Sequence, residues 1–512
     1  MSRTNRSFLS SITFVCGSLV SLVIAILTTP LLLGWLGEER FGAFRVSVEW
    51  IGYIVLLDFG LSGTLQAKTA ERLGKHNHAA AICGIRQAMR RFVFIAILQW
   101  IAILFIGLYA TVLVKGISQD HLLELRWGLA IACVGLFLAP LHLLRPLLDS
   151  SQQSYWVNLA IFAQSIGIVL LSVLFASVGW GLIGQFLAVT LGSLIFTTVL
   201  LCVVRRRYSE FWTAQSDIEP LPLVEWPMLI FNVSGRIGVL SDSMILGAIT
   251  GSVQVTIFYV TQRFFMTALA QVYGIGNSAW AALAELYYRK EMHSLRERFH
   301  ELNRLVVLLC MASMGPLWIV NEALITLWVG KVHYGGEALS GLTAIQASLM
   351  AIVSLWAWPF AGTGKMNHVL TPMVIGSLLN IVISIVCTIY FGIVGPALGT
   401  VVGYLLVFVP AYAYLLRSEF GVSVKKLLTD ILIAFSLFLP FGLVMKFLVP
   451  LLNIENWSQM RMIQFAVHLT IAILFGLVYL FAAYRLILSH EDRVLWKERF
   501  LIPLRKLGLI VS

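Results

Sequence analysis

Long apolar runs alternate with short polar segments along almost the whole of this chain. Fourteen of them can be drawn, at residues 8–33, 43–67, 91–114, 127–148, 157–178, 180–204, 227–249, 252–275, 304–328, 340–362, 371–391, 393–416, 428–449 and 464–488. Each is long enough to cross roughly 30 Å of hydrocarbon as a helix. The polar segments between them differ in charge. Threading the runs through a bilayer from the inside puts 27 of the 36 Lys and Arg residues on one side and seven, including Arg40 and Arg45, on the other. Only Arg236 and Arg263 fall deep within spans. Short loops rich in Lys and Arg stay in the cytoplasm, so the pattern predicts an all-α polytopic membrane protein of the bacterial inner-membrane type with both termini cytoplasmic.

Composition narrows the class further. With 59% hydrophobic and 12% charged residues and a mean hydropathy of +0.88, the chain has too little polar surface for a soluble domain. The net charge of +11 sits in short loops beside helix ends, where it sets topology and meets anionic headgroups; nucleic acid is not an expected partner. Six cysteines form no CxxC pair and fall mostly within the runs, where they read as small apolar filler. The N-terminal run, preceded by Arg3 and Arg6, is too long for a signal peptide and lacks a convincing cleavage site, so it reads as the first span.

The runs repeat. Adding 214 to positions in the second run lands on the eighth: Phe44 meets Phe258, Val46 meets Val260, Gly60 meets Gly274, Ala67 meets Ala281, Ala70 meets Ala284 and Glu71 meets Glu285. Arg90 and Arg304 keep the register, as do Gly181 and Gly395. We therefore expect two pseudo-symmetric six-helix lobes, 1–204 and 227–416, joined by a cytoplasmic linker at 205–226 and followed by two extra helices and a tail at 417–512. Lobes with an even number of spans are parallel repeats, with a binding cavity expected between them near the midplane.

The side chains inside the spans carry binding chemistry. A charge near the bilayer centre costs roughly 2.5–3.5 kcal/mol on insertion scales, so it faces a partner or a watery cavity. Arg236 lies about 14 Å into the seventh run and Arg263 about 17 Å into the eighth, at 1.5 Å per residue. Asn232, Arg236 and Ser243 share one helix face. A guanidinium suits pyrophosphate because its planar fork donates two parallel hydrogen bonds; the alternative is that each Arg pairs with a carboxylate and holds helices together. Glu49, Asp58, Asp242 and Glu322 are the candidate acidic partners or coupling sites, with solvated or capping roles the alternative for Asp58 and Glu322. Asp242 stands about 240° around the helix from Arg236 and needs another helix or water. The 214 offset maps Glu49 onto Arg263, which suggests a charge latch between the lobes. His142 reads as a hydrogen-bonded packing residue.

The segment from Thr28 to Gly74, with Pro30, Leu36-Gly37, Phe41-Gly42 and Asp58-Phe59-Gly60-Leu61, resembles the opening of oligosaccharide and polysaccharide flippases in the multidrug/oligosaccharidyl-lipid/polysaccharide exporter superfamily. Asp242, the Phe258-Tyr259 stretch and the glycines from Gly392 to Gly399 resemble that family's second lobe, while Ser278-Ala279-Trp280 stands where a proline-containing helix end is usual. The resemblance implies translocation of a polyprenyl-(pyro)phosphate-linked oligosaccharide to the outer leaflet, for O-antigen, capsule or exopolysaccharide biosynthesis, by alternating access. It implies no cofactor, with H+ or Na+ as candidate coupling ions. Its implied partners are the lipid-linked glycan, membrane lipids, a polysaccharide polymerase and a chain-length regulator.

Lipid II transport and drug or cation antiport, within the same superfamily, are the alternatives. A polymerase or ligase would need a large external loop for its acceptor, and the longest outer segments here are 115–126, 329–339 and 450–463. No paired carboxylates or clustered His, Arg and Asp at a loop suggest a catalytic centre, so an enzyme is not expected.

Overall fold

A computed structural model describes residues 3–56, 58, 60–75, 77–216, 226–452 and 460–487. The helices are α1 (Arg3–Leu56), α2 (Leu61–Gly74), α3 (His78–Leu108), α4 (Ala110–Leu113), α5 (Gln119–Leu136), α6 (Ala139–His142), α7 (Arg145–Ser150), α8 (Ser154–Ser177) and α9 (Gly181–Arg207). They continue with α10 (Trp226–Ile249), α11 (Ser252–Tyr288), α12 (Met292–Trp328), α13 (Glu337–Gly362), α14 (Asn367–Phe391), α15 (Gly395–Gly403), α16 (Val409–Phe420), α17 (Val424–Leu451) and α18 (Arg461–Leu486). No strand occurs among the described residues. Among the described residues helix covers most of each expected run, and eight helical stretches are long and apolar enough to cross a membrane. A ninth is the pair Gln119–Leu136 and Ala139–Ser150, bent by 50°, where Pro140 cannot donate back to the preceding turn.

Three other irregularities mark the helices. The first two expected runs are joined in α1 across a kink at Gly37, whose φ of 75° and ψ of 168° are open only to glycine. The second run then breaks after Leu56, and Asp58 closes the break. Its Oδ1 accepts from the Gly60 amide at 2.9 Å and its Oδ2 from the Ser62 amide at 3.2 Å, which satisfies two of the donors a new helix leaves open. The third interruption is a π turn at Tyr404–Phe408, just before Pro410, where widening the helix accommodates a residue without an amide hydrogen.

The chain divides into two compact units, Met1–Tyr259 with Leu370–Gly403, and Val260–Val369 with Tyr404–Ser512. In the first, α8 packs on α9 and α1, α5 packs on α9, and α10 packs on α1. Buried Leu65, Ile85, Leu144, Leu147, Phe196 and Leu200 belong to its core. Arg40 grips Glu124 with two hydrogen bonds of 2.9 and 2.6 Å, and the same carboxylate accepts from the Leu182 amide at 3.1 Å. A Cβ on Gly181 would collide with that carboxylate, so glycine is required at this α8–α9 hairpin. His142 hydrogen-bonds Ser193 at 3.1 Å and packs edge-on against Phe196.

In the second unit α12 packs against α13, α17 and α18. A Cβ on Gly476 would strike the Ala312 carbonyl, so α18 can approach the backbone of α12 only with glycine there. The Trp356 indole donates to Asn303 at 2.8 Å, Asn303 donates to Asp430 at 3.4 Å, and Arg304 donates to the other Asp430 oxygen at 3.2 Å. These bonds join α12, α13 and α17 through buried polar atoms. In the α13–α14 turn, the 2.6 Å hydrogen bond to Glu419 raises the Lys365 ammonium above the ordinary lysine pKa. Outward faces are apolar: Leu432, Phe435, Leu439, Leu443 and Phe447 of α17 are all exposed, as a lipid-facing surface requires.

Candidate functional site

Beyond the Gly37 kink, α1 presents Arg45, Glu49 and Tyr53 on one face, because residues four apart lie one above the other. Two glycines bring neighbouring helices against this face. A Cβ on Gly42 would collide with the Ser252 carbonyl, and one on Gly247 would collide with Val46. The Thr256 hydroxyl donates to the Glu38 carbonyl at 2.7 Å, satisfying backbone that the kink leaves open.

Helix α10 supplies Ser241, Asp242 and Ser243 opposite the α1 face. All three are buried, and so is Glu49. The Ser243 hydroxyl hydrogen-bonds the Glu49 carboxylate, and Tyr53 shares a hydrogen bond with Ser241. Asp242 is close enough to Glu49 and Tyr53 to interact with both electrostatically. From α15, the Thr400 hydroxyl reaches both Asp242 oxygens, at 3.1 and 3.4 Å, while Asn380 of α14 donates to Thr400 at 3.0 Å.

Among the described side chains of this cluster Arg45 is the cation, and it is loosely held. Its Nη2 is 3.9 Å from Glu49 Oε1, and its guanidinium lies over the Tyr259 ring at 4.0 Å. Buried Arg45 Nε and Glu49 Oε2 find no hydrogen-bond partner among the described residues. A buried donor without an acceptor costs free energy comparable to a lost hydrogen bond, and a cation–π contact leaves the in-plane N–H groups unspent. The arrangement can therefore bind an anion at the guanidinium and a proton or small cation at the carboxylates.

Glu49, Asp242 and Ser243 thus lie together. Asp58 stands apart, with both oxygens engaged at the helix break. Arg263 is half-buried in α11 and belongs to the second unit, with the Thr267 hydroxyl donating to its carbonyl at 2.9 Å. Asn232 and Arg236 fall within α10, but their side chains lie outside the described residues.

The sequence pattern assigns no site role to Arg45, Tyr53, Tyr259 or Thr400. Arg45 was counted among outer-side cations because it lies two residues into its run. The structure instead makes it the helical neighbour of Glu49. Two signals were present: the i, i+4, i+8 spacing of Arg45, Glu49 and Tyr53, and the 214-residue interval between Arg45 and Tyr259, which are in contact.

Solved structures share this fold. The lipid II flippase MurJ, in an inward closed conformation, has a TM-score of 0.67 and 16% identity, covering 93% of this chain and 99% of that one. An inward-facing multidrug resistance transporter of the MATE family, in the MOP superfamily, has a TM-score of 0.67 and 15% identity, covering 79% and 95%. A MOP superfamily transporter from Pyrococcus furiosus, described as having a binding pocket of reversed polarity, has a TM-score of 0.56 and 14% identity, covering 81% and 96%. No curated protein matches the chain significantly. The family described as polysaccharide biosynthesis protein matches residues 10–281, more than half of the sequence, and the chain belongs to that family.

Proposed function

We propose that this protein translocates a polyprenyl-(pyro)phosphate-linked oligosaccharide from the cytoplasmic to the outer leaflet, by alternating access, for assembly of a surface polysaccharide. The observation that carries the reading is the Arg45 guanidinium. It is embedded in an apolar helix, stacked on Tyr259, and has its Nε buried and unsatisfied beside a carboxylate 3.9 Å away. A phosphate oxygen would satisfy it with charge-assisted hydrogen bonds. Family membership supports a glycan cargo, and likeness of fold to flippases and transporters supports movement rather than bond cleavage.

Arg236, Arg263 and Asn232 are the further groups proposed to hold the anionic head, with Ser243 orienting Glu49. Glu49 and Asp242 are the proposed coupling carboxylates for H+ or Na+. A coupling ion and an anionic cargo would act on the same cluster, because neutralising Glu49 frees Arg45 to take the phosphate. Asp58, whose oxygens are already spent on backbone amides, is the weakest coupling candidate.

Reconstitution into liposomes tests the reading. A fluorescent polyprenyl-pyrophosphate oligosaccharide loaded in one leaflet should reach the other in a protein-dependent way, with the glycosidic and phosphate bonds intact. Faster movement of lipid II would shift the cargo to the peptidoglycan precursor. Transport of a cationic dye, with no lipid-linked glycan moved, would make the protein an antiporter and defeat the proposal.

A further inference from the structure

A cleft of about 1150 Å³ opens in the first unit between α2, the α7–α8 turn and the C-terminal end of α9. It lies at the starting end of one apolar span, Ser154–Ser177, and the finishing end of another, Gly181–Arg207. At this depth a membrane protein meets lipid headgroups. The cleft's lining includes apolar Leu73, Val199 and Val203 and the cations Arg206 and Arg207.

Three features separate these arginines from ordinary topology-setting cations. Arg207 lies 6.0 Å from the centre of the Trp156 ring, so its guanidinium is directed to a wall of the cleft. The Trp156 indole N–H and Gln153 Oε1 are buried and have no hydrogen-bond partner among the described residues, although the Gln153 amide itself donates to the Tyr208 hydroxyl at 3.4 Å. Gln152, at the turn that floors the cleft, holds a left-handed φ of 57°, unusual for a residue with a side chain. The set combines cations, an unpaired indole donor and an apolar wall, and no carboxylate lines it among the described residues.

A second cleft of similar size, about 1130 Å³, offers an internal contrast within the other unit. It is lined by Arg296, Arg298, Lys425 and Lys426, but also by Glu291, Glu297, Glu301 and Asp430. Its Arg298 is paired with Glu301 at 3.1 Å and its Arg304 with Asp430 at 3.2 Å. That cleft sets four carboxylates against its five Arg and Lys side chains, whereas the first sets none against Arg206 and Arg207 among the described residues.

We propose that the α2/α8/α9 cleft is a binding site for an anionic membrane phospholipid. Arg206 and Arg207 hold the phosphate, the Trp156 indole donates to a headgroup oxygen, and the first acyl carbons lie on Leu73, Val199 and Val203. The volume far exceeds that of a bare phosphate and lies just above the usual range of small-ligand sites, which leaves room for a headgroup and the first acyl carbons. Its position at the ends of spans selects a lipid over a soluble phosphate ester.

Native mass spectrometry of the full chain in detergent, titrated with phosphatidylglycerol or phosphatidylcholine, tests this. Wild type should retain one phosphatidylglycerol roughly tenfold more tightly than phosphatidylcholine, as charge-assisted hydrogen bonds imply. The Arg206→Gln/Arg207→Gln variant should lose that preference, Trp156→Phe should weaken it while keeping the ring, and Arg207→Lys should retain part of it. Lys425→Gln/Lys426→Gln, in the carboxylate-lined cleft, should leave it unchanged. Equal retention of the two lipids by wild type, or an unchanged preference in both the double variant and Trp156→Phe, overturns the proposal. Displacement of the lipid by an equal concentration of glycerol 3-phosphate also overturns it, because the occupant would then be a soluble phosphate ester.

Discussion

Two buried clusters in this protein use the same chemistry to different ends. In the second unit, Arg304 and Asp430 meet at 3.2 Å, and Asn303 and Trp356 complete a chain in which each polar group named has a partner. In the first, Arg45 and Glu49 are 3.9 Å apart, and Arg45 Nε and Glu49 Oε2 are buried without partners. A saturated pair joins helices, because removing one member strands the other in low dielectric. An unsaturated pair retains hydrogen-bonding capacity that a ligand can use. The presence of an arginine beside a carboxylate therefore says less about function than how completely their neighbours satisfy them.

The largest expected effect breaks the unsaturated cluster. Arg45→Gln should reduce transport of the lipid-linked glycan roughly a hundredfold, the loss of about two charge-assisted hydrogen bonds. Its melting temperature should stay near wild type, because Arg45 contributes little to holding the helices. Asp430→Ala should do the reverse: thermal unfolding should show a loss of about 3 kcal/mol, while the protein that remains folded transports normally. A transport defect in Asp430→Ala at full stability would erase the distinction between the clusters.

Smaller changes sharpen it. Glu49→Gln preserves the shape beside Ser243 but removes the charge facing Arg45, so cargo transport should persist while its response to an imposed pH or Na+ gradient disappears. Gradient-dependent rates identical to wild type would remove Glu49 from coupling. Asp58→Ala should cost about 1 kcal/mol of stability through the lost cap, with little change in transport, since its oxygens serve backbone amides.

Spans were legible in the sequence because twenty-odd consecutive apolar residues have one stable solution in lipid, a helix. Interruptions were less so. Gly37 and the Asp58-Phe59-Gly60 segment were noticed as motif positions, yet only the backbone reveals that one kinks α1 and the other starts a new helix. Glu49, Ser243 and Asp242 could be selected because polar side chains in apolar runs are conspicuous. Arg45 lay too near the end of its run to look buried, and Tyr259 and Thr400 are unremarkable until the start of α11 meets α1 and α15 packs on α10. Partnership across helices is a property of packing, whereas depth and spacing are properties of sequence.

The most direct test of the account compares two cargoes in proteoliposomes: a polyprenyl-pyrophosphate oligosaccharide and the same polyprenyl oligosaccharide joined through an uncharged linkage. Wild type should move the pyrophosphate form much faster than the neutral one, and Arg45→Gln should move both at the same slow rate. Equal rates for the two cargoes in wild type, or an undiminished preference for the pyrophosphate form in Arg45→Gln, would contradict the claim that this loosely held guanidinium recognises the anionic head.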